Sequence, residues 1–92
     1  SASGTPTVDK RQQQSRDARR AERAAARELE RLPARIEELE ARIAGLVTQM
    51  GEPGFYQQPR SDQQTVFDAK DALETELETL YARWETLESE VG

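Results

Sequence analysis

Two leucine-rich runs, separated by one short break rich in glycine and proline, restrict this chain more than anything else in it. The first run is Leu29, Leu32, Ile36, Leu39, Ile43, Leu46 and Met50. The second is Leu73, Leu77, Leu80, Trp84, Leu87 and Val91, with Val66 one heptad ahead of Leu73. Steps of three and four alternate through both. That spacing places every apolar side chain on one narrow helical seam, the pattern of a coiled coil. Between the runs lies Gly51-Glu52-Pro53-Gly54-Phe55-Tyr56-Gln57-Gln58-Pro59-Arg60, which cannot continue a helix. Two seams joined by so short a break fold back on each other, so an all-α antiparallel two-helix coiled-coil hairpin is expected.

Composition narrows the function classes. Of 92 residues, 34% are charged and 5% aromatic. That suits a two-helix seam and not the walls of an enclosed catalytic site. The absence of cysteine and histidine excludes disulfides, thiolate metal sites and imidazole general bases. No catalytic residue, cofactor or metal is expected. The acidic clusters Glu37-Glu38-Glu40 and Glu74-Glu76-Glu78 read as solvated faces. No apolar stretch approaches the roughly 20 residues that span a bilayer, and no signal-peptide core is present. A monomer without membrane contact is expected, and the lack of cysteine fits a reducing compartment.

The chain divides into residues 1–14, read as a disordered linker or arm, and residues 15–92, read as the hairpin domain. Helices are expected at about 15–31, 33–50 and 62–90. Pro33 removes a backbone donor and clashes with the preceding turn, so a bend or a fresh start is expected there. Gly51 reads as a C-cap, and Ser61-Asp62-Gln63-Gln64 has the form of a capping box. Charge favours the register that sets Ile36 opposite Leu73, Leu32 opposite Leu77 and Trp84 over Ala25. In it Glu28 faces Arg83 and Arg35 faces Glu76, whereas a one-heptad slip sets Arg35 against Arg83.

The net charge of -5 hides an asymmetry. Residues 1–35 carry nine Lys/Arg against five Asp/Glu, and residues 36–92 carry four against thirteen. Such a basic arm on an acidic body calls for an anionic partner. Arg19, Arg23, Arg27, Arg31 and Arg35 recur every four residues, with Arg16 and Arg20 alongside. Like charges at this spacing weaken a helix, so helix stability does not explain them. One reading is a phosphate-tracking face; the other is pairing with Glu85, Glu88 and Glu90. For Arg31 and Arg35 the choice stays open. Candidate nucleic-acid contacts are Lys10, Arg11, Arg16, Arg19, Arg20, Arg23, Arg27 and Arg31. Gln12–Gln14 and the arginines can also reach base edges. Trp84 reads as core, Lys70 as a register-setting residue whose head turns outward, Phe55 as a plug at the end of the seam and Tyr56 as an exposed tip.

The combination Arg27-Glu28-Leu29-Glu30-Arg31-Leu32-Pro33, Phe55-Tyr56 in the turn and Tyr81-x-Arg83-Trp84-Glu85-x-Leu87-Glu88 resembles the C-terminal coiled-coil domain of the Uup-type ABC-F ATPases, over roughly residues 27–88. A Lys-Leu-Ser-Tyr-type segment usually precedes this stretch in that family. Here Arg19–Ala26 keep the basic character and lack the tyrosine, so no stacking role for that aromatic carries over. The resemblance implies a soluble cytoplasmic parent ATPase with two upstream nucleotide-binding domains and a C-terminal hairpin that binds DNA. Structured RNA of the ribosome is the other ligand it suggests. A regulatory coiled coil that docks on the ATPase domains is the competing reading. No phosphate-loop sequence G-x-x-x-x-G-K-[ST] occurs in the chain, so it is an accessory module and not the catalyst.

Overall fold

The computed structural model describes residues 5–91. Helix α1 runs Thr5–Met50, a short 3-10 turn spans Phe55–Gln57, and helix α2 runs Arg60–Val91. The two helices pack against each other as a hairpin measuring 83 × 22 × 14 Å.

The seam forms as its periodicity dictates. Leu32, Ile36, Leu39, Phe55, Val66 and Leu87 are buried, as is Ala25, while Leu29, Leu80, Trp84 and Val91 pack against the Ala25–Leu32–Leu87 cluster. Both expected cross-helix ion pairs are present. Arg83 donates two hydrogen bonds to Glu28, at 2.8 and 3.0 Å, and Arg35 donates to Glu76 at 2.6 Å. These pairs belong to the expected register and not to the one-heptad slip. The apolar layers add a detail. Leu87, which that register sets opposite Glu22, packs with Ala25 and Leu32, so the side chains interleave instead of meeting head-on, as knobs fill holes.

Pro33 does not interrupt α1, contrary to the expected separate helices at 15–31 and 33–50. Pro33 itself is exposed, while Leu32 and Ile36 on either side are buried in the seam. Packing thus holds both flanks in helical geometry, and the carbonyl that loses its partner can turn to water. Residues 5–14, expected to be disordered, form the first turns of the same helix, and residues 1–4 lie outside the described residues.

The turn is built differently from its sequence signals. The Gly51 N–H still reaches the Val47 and Thr48 carbonyls at 3.1 Å, and no glycine among the described residues is left-handed, so Gly51 stands at the C-cap place just past Met50 without the left-handed geometry such a cap often has. Pro53 then ends α1, because the residue before a proline disfavours helical geometry. The expected capping box at Ser61–Gln64 gives way to Pro59, whose carbonyl accepts from the Asp62 and Gln63 N–H groups, at 3.0 and 3.2 Å. Gln63 instead donates its side-chain amide to the Tyr56 and Gln58 carbonyls and ties the turn to α2. Phe55, 2% exposed, plugs the seam edge-on between Tyr56 and Phe67, with ring centroids 4.8 and 5.7 Å away. Lys70 lies half-buried along the seam and turns its ammonium to Glu74, as expected.

Candidate nucleic-acid interface

An α-helix turns about 100° per residue, so position in sequence fixes position on the surface. Arg16, Arg19, Arg20, Arg23, Arg27 and Arg31 fall within about 120° of arc on α1. That arc lies opposite the direction of Ala25, Leu32 and Ile36. The helix therefore presents its seam to α2 and its arginines to solvent on the far side, and all six are exposed. Along the axis the row from Arg16 to Arg31 is about 22 Å long. The stems of Arg16, Arg19, Arg20 and Arg23 border a shallow groove of about 320 Å³.

Few ion pairs hold these arginines, in contrast to Arg35, Arg42 and Arg83. Among the described residues, Arg16, Arg19, Arg23, Arg27 and Arg31 form no ion pair, and Arg20 has only Asp17 at 3.9 Å. The anticipated pairing with Glu85, Glu88 and Glu90 does not form. Those carboxylates stand on α2, across the seam from the arginine face, and Glu88 accepts instead from the Trp84 indole. Arg35 shows the alternative. One helical turn beyond Arg31, the drift of the row has carried it to the flank of the seam, where Glu76 and Glu38 hold it. Hydrogen bonding to those two carboxylates raises its pKa. Arg31 thus stands with the solvent-facing row and Arg35 with the structural pairs.

Lys10 and Arg11 are exposed but do not share the arginine face. By the same 100° step both point to the opposite half of α1, about 120° and 140° from the centre of the row and on either side of the seam direction. The eight candidates therefore divide into six gathered on one face and two turned away from it. Near Ala18, Ala21 and Glu22 lies Glu90, close to the end of α2. Below that level α1 is a bare helix, and every residue from Asp9 to Ala24 is exposed.

A second surface was not legible as a site in the sequence. Tyr81, 46% exposed, and Trp84 line a shallow groove with Glu85 and Glu88. The Tyr81 hydroxyl approaches Glu40 of α1 at 3.4 Å. Its only sequence signal is that Tyr81 stands one place off the seam, between Leu80 and the acidic flank. Tyr56, 62% exposed, is the other bare aromatic, at the tip. No helix of the described residues is long and apolar enough to cross a membrane.

A basic outer face carried by an intramolecular coiled-coil hairpin defines a small binding module, and comparison with known proteins places it. The chain belongs to the ABC transporter C-terminal domain family, whose pattern matches residues 20–89. It is similar to the ATP-binding protein Uup of Escherichia coli (strain K12), 44% identical over 63 residues that cover 68% of this chain and 10% of that protein. The ATP-binding protein Uup of Haemophilus influenzae (strain ATCC 51907 / DSM 11121 / KW20 / Rd) is likewise 44% identical, over 62 residues covering 67% of this chain and 10% of that protein. The chain spans about a tenth of the length of these relatives. A solved structure of the C-terminal domain of the Uup protein, described as a DNA-binding coiled coil motif, matches with a TM-score of 0.64 and 41% identity. It covers 74% of this chain and 80% of that one. The expected Uup-type relationship and coiled-coil fold are thereby met. Lys10, Arg11, Arg16 and Arg19 precede the family match, whereas Arg20, Arg23, Arg27 and Arg31 fall inside it.

Proposed function

We propose that this chain is the DNA-binding C-terminal accessory module of a cytoplasmic ABC-F-type ATPase, folding as one chain and gripping its ligand with the outer face of α1. One observation carries the reading: six arginines gather on the face turned away from the seam, and five of them form no ion pair among the described residues. Like charges at this spacing are unfavourable in a free helix and become favourable beside phosphates. The Uup C-terminal structure described as a DNA-binding motif supports the choice of ligand. Lys10 and Arg11 add charge on the opposite half of α1. The module supplies binding, and the ATP-hydrolysing machinery belongs to the rest of a parent polypeptide.

A second reading, a regulatory coiled coil docking on the ATPase domains, draws support from the acidic-aromatic groove at Tyr81, Trp84, Glu85 and Glu88. A ribosomal RNA contact is a third. A salt titration of binding to matched duplex DNA, single-stranded DNA and a structured RNA tests them together. Five phosphate contacts give a log-log slope of about -4 to -5 on duplex DNA. Stronger retention on structured RNA moves the reading to the ribosome, and no salt-dependent binding to any of the three leaves the docking reading.

A further inference from the structure

We propose that residues 10–20 of α1 enter the major groove of duplex DNA, with Gln12, Arg16 and Arg20 toward the base edges, while Arg23, Arg27 and Arg31 stay on the phosphate backbone. The inference rests on the DNA-binding reading above and deepens it. Three observations carry it.

The first is that α1 is unaccompanied at this level. α2 ends near Ala18–Glu22, and all faces of residues 9–20 are exposed. A single helix with its side chains is about 10–12 Å across, which matches a major groove about 12 Å wide. From Ala18 onward the helix has Glu90 of α2 nearby, then Glu88 and Glu85 farther along, together with its own Glu22, Glu28 and Glu30. Those carboxylates would approach the phosphate walls if the paired body sank into a groove. Deep entry therefore stops where α2 starts, and the inner half of the arginine row remains at the surface.

The second is the placement of Lys10 and Arg11. On a helix lying along one strand they are directed away from the phosphates. Within a groove there is a wall on each side, and Lys10, about 120° from the floor-facing centre, reaches back to one of them, while Arg11, about 140° away, lies toward the open side. Asp17, also on a flank, has Arg20 at 3.9 Å and accepts from Gln13 at 3.0 Å. Asp9 shares the arc of Gln12 and Arg16 one turn earlier, and there the helix leaves the groove.

The third is the side-chain chemistry of the floor-facing arc. Arginine matches the paired acceptors of guanine, and glutamine the acceptor and donor of adenine. The aromatics of the chain are Phe55, Tyr56, Phe67, Tyr81 and Trp84, none of them on this arm. Stacking on a splayed single strand is thus unavailable to it. Most of this segment lies ahead of the family match at residues 20–89.

The test combines groove-selective competition with a footprint on a mixed-sequence duplex. Methyl green, which occupies the major groove, should displace the protein, and distamycin, which occupies the minor groove, should not. Bound protein should protect guanine N7 from dimethyl sulfate over about one helical turn of DNA. Arg16→Gln with Arg20→Gln should lose that protection. Arg27→Gln with Arg31→Gln should weaken binding, flatten the salt slope by about 2 units and keep the protection at saturating protein. Full-strength binding with N7 left open, or displacement by distamycin alone, overturns groove entry and leaves the phosphate-tracking reading standing. A chain that binds no duplex overturns both.

Discussion

The two halves of α1 belong to one unbroken helix and face opposite worlds. From Asp9 to Ala24 every residue is exposed, whereas from Ala25 to Met50 the helix buries Ala25, Leu32, Ile36 and Leu39. Both halves are strongly helical in propensity, through alanine, arginine and glutamate. Their side-chain periods separate them. Apolar residues at steps of three and four point at one partner and close a seam. Arginines at steps of four drift slowly around the helix, so the row stays outside until Arg35, where it meets α2 and becomes a pair of ion bridges. An arginine of this row is paired across the seam or turned to solvent according to where that drift has carried it.

Removing a seam residue should break the paired half most. Leu87 and Leu39 are completely buried, and truncating either to alanine should destabilise the fold by about 2–5 kcal/mol. Thermal unfolding followed by circular dichroism reads this. Trp84→Ala should cost less than a fully buried aromatic would, since Trp84 is only half-buried. An unchanged melting temperature with lost nucleic-acid affinity would instead make Trp84 a ligand contact. The exposed half should respond in the opposite sense. Replacing Arg16, Arg19, Arg20 and Arg23 with glutamine should flatten the salt slope by up to about 3–4 units and leave helicity intact, because like-charge repulsion is relieved. Affinity and slope both unaltered would rule out the arginine face as the binding surface.

Smaller effects sharpen the same contrast. Gly45 lies inside α1 with open space where a Cβ would stand, so Gly45→Ala should stabilise the hairpin by about 0.5–1 kcal/mol without touching binding. The smallest expected effect is electrostatic. Hydrogen bonds from Arg83 hold the Glu28 carboxyl below its ordinary pKa. Its contribution is therefore fully present above the unfolded value, about 4.3, and fades as the pH falls through the lower folded value. Melting temperatures between pH 7 and 3 should decline more gently at the acid end for Glu28→Gln than for the parent. The pair is solvent-exposed, so the difference should be far below that of Leu87→Ala.

The seam, the hairpin, the plug at Phe55, the outward turn of Lys70 and both cross-helix ion pairs were legible in the sequence, because each follows from heptad spacing or opposite charge. The local stop signals misled. Pro33 and the capping-box pattern at Ser61–Gln64 are read from a few neighbours, while Leu32, Ile36 and Pro59 decide the outcome through packing and backbone geometry. The arginine face was legible as a pattern. Its separation from Arg35 was not, because that depends on where α2 runs, and the placement of Lys10 and Arg11 was not, because residues 5–14, expected to be disordered, are helical. Tyr81 carried no signal of its own, since its exposure follows from the angle at which the seam turns.

Continuity through Pro33 has a mechanical consequence. About 51 Å of helix connects Arg16 to Met50 with no joint along the way. Under the proposed binding mode, a duplex that fixes the orientation of the arm also aims the far tip, like a pointer on a shaft. Torque applied at either end travels to the other, and Tyr56 sweeps an arc set by how the arm is seated.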